Sequence, residues 1–309
     1  MGNNTYFNEE ELKQTVHQLA RDIDAHGMCH MRFNREPLPR QGLIKEAVML
    51  CRELLFPGFF GDADVNSFNL EYRLGLHCER LKSLLENQIT AGLVIEAHGA
   101  DAAELDALRQ RATAITAGFI AGLPQLRTLL HTDVEAIYDG DPAAVSREEV
   151  IYCYPAVKAI TNYRIAHALL TAGVPVIPRM ISEQAHSETG IDIHPGAQIG
   201  DHFAIDHGTG VVIGATAIIG SHVKLYQGVT LGARSFPTDA NGRPVKGGAR
   251  HPIIGNNVVV YSNATILGRV TIGDNAVIGG NIWVTTDVAR GERLIQAKAN
   301  NIVRLKNDD

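Results

Sequence analysis

The chain lacks a CxxC pair. Its four cysteines, at positions 29, 51, 78 and 153, are scattered through the first half, which makes a reduced, cytoplasmic protein the simplest reading. It also lacks a basic surplus: 28 Lys and Arg against 34 Asp and Glu leave a formal charge of −6, which excludes a molecule-wide footprint for nucleic acid. No uncharged run approaches the ~18 apolar residues of a membrane span. The opening, MGNNTYFNEEELK, has neither the basic nor the apolar region of a signal peptide. Its Met-Gly start fails as a myristoylation signal, because Tyr6 stands where Ser or Thr is required. What is present is length: 309 residues are enough for two domains and a sizeable core.

The second half carries a repeat. From Ile193 to Val284 a branched aliphatic returns every sixth position, in three blocks: Ile193, Ile199, Ile205; Ile213, Ile219, Leu225, Leu231; and Ile254, Val260, Ile266, Ile272, Ile278, Val284. Four residues after most of these stands a small or β-branched residue, such as Ala197, Thr209, Ala217 or Val258, and Gly often follows the anchor directly. A period of six suits neither a helix near 3.6 nor one long strand at 2. It suits a coil of three short flat faces, one hexapeptide each, with the aliphatic inward and glycine helping to turn the corners. Stacked coils bury one continuous aliphatic column, so we expect a left-handed parallel β-helix. A β-sandwich would instead show period-2 strands with turns every 8 to 12 residues.

The first half is helical in texture. Asn8 before Glu9, Glu10 and Glu11 is a capped start, and that helix is expected to run to His26. Others are expected over Gln41–Phe56, Asn69–His98, Asp101–Ala121, Pro124–Tyr138, Tyr154–Ala172 and Val176–Ala185. The fold class is thus an N-terminal all-α domain, residues 1–187, followed by a β-helix domain, residues 188–309. The second domain carries an extended loop at 233–250 and a C-terminal segment from 287. Cys29-His30, His77-Cys78 and His131 read as packing or surface residues rather than metal ligands. Asp141-Pro142 reads as a helix cap with Pro142 at the first helical position, or as part of a site.

Titratable groups cluster where the coil is interrupted. Asp192-Ile193-His194-Pro195 opens it, and Asp206-His207-Gly208-Thr209 follows where the register slips by two. Fifteen residues is close to one coil of eighteen, so Asp192 and His207 can lie near each other, and a carboxylate beside an imidazole makes a general base. Arg250-His251-Pro252 marks the rejoining point of a polar excursion, Ala233 to Ala249. Counting Arg250, the excursion bears Arg234, Arg243 and Lys246 against one acid, Asp239, a local positive surplus that suits an anion.

The run TGIDIHPGAQIGDHFAIDHGTGVVIGATAIIG, then VKLYQGVTLGA and GGARHPIIGNNVVV, closely resembles the serine O-acetyltransferase family of hexapeptide-repeat acyltransferases. The likeness extends back through Asp141-Pro142-Ala143 and Tyr163-Arg164-Ile165-Ala166-His167. The resemblance implies that His207 is the base and Asp192 orients it, and that serine is held by Asp141, Asp206, Arg250 and His251. Coenzyme A contacts are expected at Gly232, Ala233, Lys246, Gly248, Gly279 and Lys298. It further implies acetyl-CoA as co-substrate with no permanently bound cofactor and no metal, L-cysteine as feedback inhibitor, and a homotrimer or a hexamer built as a dimer of trimers. A complex with O-acetylserine sulfhydrylase is not expected, because the chain ends Lys306-Asn307-Asp308-Asp309 rather than in Ile, and neither nucleic acid nor membrane is. Where the family carries a Gly-Val-Pro-Ala-Arg-like turn, this chain reads Gln296-Ala297-Lys298-Ala299-Asn300-Asn301. The competing readings are an acetyltransferase for another amino acid or a sugar, a silent scaffold, and a zinc enzyme like the γ-class carbonic anhydrases using His202, His207 and His222.

Overall fold

A computed structural model describes residues 8–21, 37–61, 64–98, 100–235 and 238–297. The chain divides into two units, residues 1–36 and 37–309. In the first, helix α1 (Glu9–Arg21) starts where expected, with the Asn8 side chain accepting from the Glu10 N–H at 3.1 Å. The expected continuation of α1 to His26, and Cys29-His30, lie outside the described residues.

The second unit opens with α2 (Gln41–Leu55), α3 (Leu70–Glu96), α4 (Ala102–Ala121), α5 (Leu123–Gly140), α6 (Arg147–Cys153), α7 (Pro155–Thr171) and α8 (Ile177–Thr189). Helix α6 was not expected, although Ser146 three residues before Glu149 is its start signal, and the Ser146 hydroxyl accepts the Glu149 N–H at 3.2 Å. Asp141-Pro142 therefore does not begin a helix; Asp141 is the residue at which α5 ends. Cys51 is fully buried, which pushes its thiol pKa up, as a packing residue requires. No described helix is long and apolar enough to cross a membrane.

After Gly190 the chain winds into a left-handed parallel β-helix with three faces. The first face stacks β1 (Asp192–Ile193), β4 (Val212–Ile213), β7 (Thr230–Gly232), β10 (Thr265–Leu267) and β13 (Trp283–Val284). The second stacks β2 (Gln198–Ile199), β5 (Ile218–Ile219), β8 (Ile253–Ile254) and β11 (Thr271–Ile272). The third stacks β3 (Ala204–Asp206), β6 (Lys224–Tyr226), β9 (Val259–Val260), β12 (Val277–Ile278) and β14 (Arg293–Leu294). The six-residue anchors point inward and are buried, except Ile199, which is half-buried. Asp192 pairs with Val212, twenty positions on, whereas Val212 pairs with Thr230, eighteen on. The two extra residues of the first coil lie in the corner after Asp206, which is why Val211, not Thr209, fills the inward slot there.

The corners correct one expectation. Left-handed backbone is supplied mainly by His and Asn: His202, His222, Asn257 and Asn275 (φ 51 to 60°) on the corner between second and third faces, and Asn263 and Asn281 on the corner between third and first. Several glycines that follow an anchor are needed for closeness instead. A Cβ on Gly200 would sit 2.8 Å from the Gly220 carbonyl carbon, and one on Gly273 would sit 2.6 Å from the Arg290 nitrogen.

Stacking also leaves an open end. First-coil N–H groups donate to the second coil, as Gln198 does to Ala217 O and Gly200 to Ile219 O, so first-coil carbonyls have no coil beneath them. Helix α7 supplies the missing donors. Tyr163 Oη donates to Ala197 O (2.7 Å), His167 Nδ1 to Pro195 O (2.8 Å), and the Arg164 guanidinium to Ile199 O and Gly200 O (both 2.6 Å). Arg164 is itself held in a bidentate pair by Asp133 of α5 at 3.0 and 3.1 Å, and Asp133 also accepts the Phe203 N–H at 3.0 Å. Both side chains of the pair are at most 4% exposed. Asp133→Ala would leave a buried cation and a buried N–H without their partner, so we expect it to lower unfolding stability by about 3–5 kcal/mol in urea titrations. A loss under about 1 kcal/mol would mean that the pair is not what joins helices to coil.

Candidate active site

The enlarged corner between third and first faces carries His207. Its φ of 57° and the φ values of 88° and 80° at Gly208 and Gly210 bend the chain outward, and the His207 side chain is 73% exposed. Gly208 is obligatory twice over, since a Cβ there would also meet Ile191 Cδ1 at 2.4 Å.

Beside this corner lies a recess lined by Ile137, Asp141, Tyr154, Ala204, Ile205, Asp206 and Lys224. The clamp on Asp133 explains how Asp141 reaches it: α5 is pinned at Phe203, and its end two turns later lies over Asp206. Asp141 Oδ2 accepts the Tyr154 hydroxyl at 2.6 Å and Oδ1 accepts the Ala143 N–H at 2.8 Å. Those two bonds hold its carboxyl below the usual range, and the first of them, with burial, pushes the Tyr154 phenol up to about 12. Asp206 Oδ2 pairs with Lys224 Nζ at 3.0 Å, and Asp206 Oδ1 is 3.8 Å from His207 Nε2. Lys224 also donates to Gly140 O at 2.6 Å, tying the end of α5 to the coil. Burial alone would lower the Lys224 pKa, but its bonds to Tyr226 and Asp206 outweigh it and the net shift is upward. Two carboxylates and one ammonium leave a net charge of −1, the complement of one further ammonium group. Tyr154 and Lys224 were missed in the sequence: Tyr154 stands in no quoted motif, and Lys224 lies within the run VKLYQGVTLGA without being singled out there.

Asp192 is not where its spacing suggested. It sits on the flat of the first face, in register with Val212, five residues beyond His207, and makes no ion pair with His207 within the chain. Its carboxylate lies within 4.8 Å of Glu183 and His186 instead. The longer first coil is the reason, because it puts His207 on the corner before the face rather than above Asp192.

Arg250 and His251 occupy the opposite edge of that face, on the corner between first and second faces, where the loop rejoins β8. The His251 ring lies against Gly214 so closely that a Cβ there would be 2.0 Å away. Arg269 clamps the segment from the next coil, donating to His251 O at 2.9 Å. Burial first, then Arg250, His194 and Arg269, push the His251 pKa down to about 4. The expected coenzyme residues are divided in the same way. Gly232 and Ala233 begin the loop, Lys246 and Gly248 stand on its exposed limb, and Gly279 is on the other corner; Lys298 lies outside the described residues.

Within one protomer the three histidines of the zinc reading are not brought together. His202 and His222 share a corner with Asp201, the three within 4.8 Å, but His207 is on another corner. The two imidazoles are stacked, 4.1 Å apart and 21° from parallel, so their in-plane lone pairs run side by side rather than converging on one ion.

A family model described as bacterial transferase hexapeptide (six repeats) matches residues 251–281. The chain is 46% identical over 291 residues, 94% of its length and 91% of the relative's, to a plasmid serine acetyltransferase of Synechococcus elongatus. Among solved structures it is similar to serine acetyltransferase isoform 3 of Entamoeba histolytica in complex with cysteine, with 34% identity, a TM-score of 0.71 and 97% of each chain covered. Serine acetyltransferase 1 of the same organism, in complex with L-cysteine, aligns with 31% identity, a TM-score of 0.70 and 92% and 99% coverage. Repeat, corner chemistry and near full-length likeness agree, and the chain belongs to the serine acetyltransferases of the hexapeptide-repeat transferases.

Proposed function

We propose that this chain transfers the acetyl group of acetyl-CoA to the hydroxyl of L-serine, with His207 as the base. The observation that carries this reading is the recess beside His207, where Asp141 and Asp206 share one net negative charge. Serine enters with its ammonium on those carboxylates and its carboxylate on Arg250, charge-assisted contacts that also orient it. His207 takes the hydroxyl proton as oxygen attacks the thioester carbonyl. The C–S bond then breaks, and the thiolate of coenzyme A takes the proton back from His207. The basic limb of the loop, with Lys246 and Gly248, and the residues Gly232, Ala233 and Gly279 are proposed for the coenzyme.

In one protomer the ammonium end and the carboxylate end of this site stand on opposite edges of the first face, on the order of 15 Å of strand apart. Only a second copy, presenting its Arg250 corner to the first copy's His207 corner, completes the site. A three-faced prism packed about a threefold axis does this three times over, so we propose a homotrimer, with hexamers formed by pairing trimers through the helical half. Asp192, on the same face, is proposed to reach the base across that interface.

His207→Ala should leave the assembly intact and lower turnover about 10²–10⁴-fold, the usual worth of a positioned base. Arg250→Ala should act mainly by raising the serine KM. If sites are shared, mixing the two variants 1:1 with subunit exchange should restore sites at about one quarter of interfaces. No recovery on mixing would mean that each site is built within one chain. L-cysteine presents the same ammonium and carboxylate as serine, and the two Entamoeba relatives carry cysteine. We therefore expect inhibition competitive with serine, and a rate at low serine that is indifferent to excess cysteine would remove it.

A further inference from the structure

The His251 ring is held by one side chain, Thr216, which the reaction scheme leaves without a role. The Thr216 hydroxyl accepts the Arg250 N–H at 2.9 Å and the His251 N–H at 3.1 Å, which uses both of its lone pairs. Its own hydrogen then points at His251 Nδ1, 2.8 Å away, and the Thr216 backbone N–H donates to the same Nδ1 at 3.1 Å. A backbone amide can only donate, so Nδ1 carries no proton. In a neutral imidazole the proton must then be on Nε2. Among the described residues Nε2 makes no hydrogen bond, and it is not among the fully buried partnerless atoms, so it keeps some exposure at the corner.

Resting on the reading that this site acetylates serine, we infer that Thr216 is a positioning residue that locks His251 as a neutral Nε2–H imidazole, so that it serves as hydrogen-bond donor to the thioester oxyanion and not as a second base. The groups facing the ring agree: Arg250, Arg269 and His194 all disfavour a cation there, and burial holds the His251 pKa at about 4. Arg269 fixes the same corner through Thr216 O and His251 O. A donor placed at a developing oxyanion is the larger use of a histidine that cannot accept a proton near neutral pH.

The test measures serine-dependent thiol release from acetyl-CoA by the full chain, from about pH 5.5 to 8.5, across six proteins: wild type, His207→Ala, Thr216→Val, Thr216→Ser, His251→Gln and His251→Leu. Gln keeps an N–H donor where Nε2 stands, and Leu does not. The expected result is that His251→Leu loses about 10²–10³-fold in kcat while His251→Gln stays within about tenfold of wild type. Thr216→Val, which removes the hydroxyl and keeps the backbone N–H, should lose about 10–10²-fold in kcat and steepen the acid limb that a general base already gives, with Thr216→Ser restoring both. His251→Gln no better than His251→Leu would overturn the inference, as would Thr216→Val with wild-type kcat and profile; if Thr216→Val does not fold, the Gln and Leu pair decides. A wild type without serine-dependent release would instead sink the acetylation reading itself. An active wild type and silent His207→Ala, with Gln equal to Leu, would sink the donor role alone.

Discussion

The structure depends on how the first coil's open end is closed. A β-helix offers there a row of carbonyls with nothing beneath, and each left dry and unpaired would cost about 1–3 kcal/mol. Tyr163, Arg164 and His167, at i, i+1 and i+4 of α7, donate to four of them. Because Arg164 also carries the Asp133 pair, the same bonds fix α5 against the coil, and α5 ends at Asp141. The helical half is thus not a separate scaffold, and one hydrophobic cluster runs from Ile44 in α2 through the coil to Val288. The placement of a carboxylate in the recess follows from closure of the coil.

The second constraint is the corner. Most corners that leave the second and third faces turn on one left-handed Asn or His, whose short polar side chains tolerate φ near +57°. The corner after Asp206 has two additional residues and two positive-φ glycines, and the surplus chain projects His207 out of the prism. The other interruption, the loop from Ala233, ends with Arg250 and His251 gripped by Thr216, Gly214 and Arg269. The proposed site residues sit at the two places where the repeat fails, on opposite edges of one face. A repeat that is flat and stackable everywhere else leaves those edges free to meet a neighbouring copy.

Much of this was legible in the sequence. Aliphatics at period six can bury one face only as a coil, and caps such as Asp101 with Glu104 mark helix starts from local chemistry alone. Asp141, Asp206, His207, Arg250 and His251 stood out because each breaks the repeat or stands in a turn. What could not be read was distance between coils. The Asp192 and His207 spacing looked like neighbours only until the extra residues shifted the corner. Thr216 in a corner turn, Lys224 in a strand and Tyr154 at a helix end are ordinary residues, and they acquire meaning from partners 34, 84 and 13 positions away. The glycines were seen, but most of those following an anchor serve close approach between coils, which no φ-based argument reveals.

A recess of net charge −1, an exposed base and an Arg-His corner are together proposed to select an amino acid with a short hydroxyl side chain for acetyl transfer. The most direct measurement is the initial rate of thiol release from acetyl-CoA with L-serine, set beside threonine, homoserine and a panel of sugars. The highest kcat/KM is expected for L-serine, with sugars, which lack the ammonium and carboxylate of an amino acid, close to background. A sugar or homoserine preferred over serine, or release that does not depend on an acceptor, would contradict it.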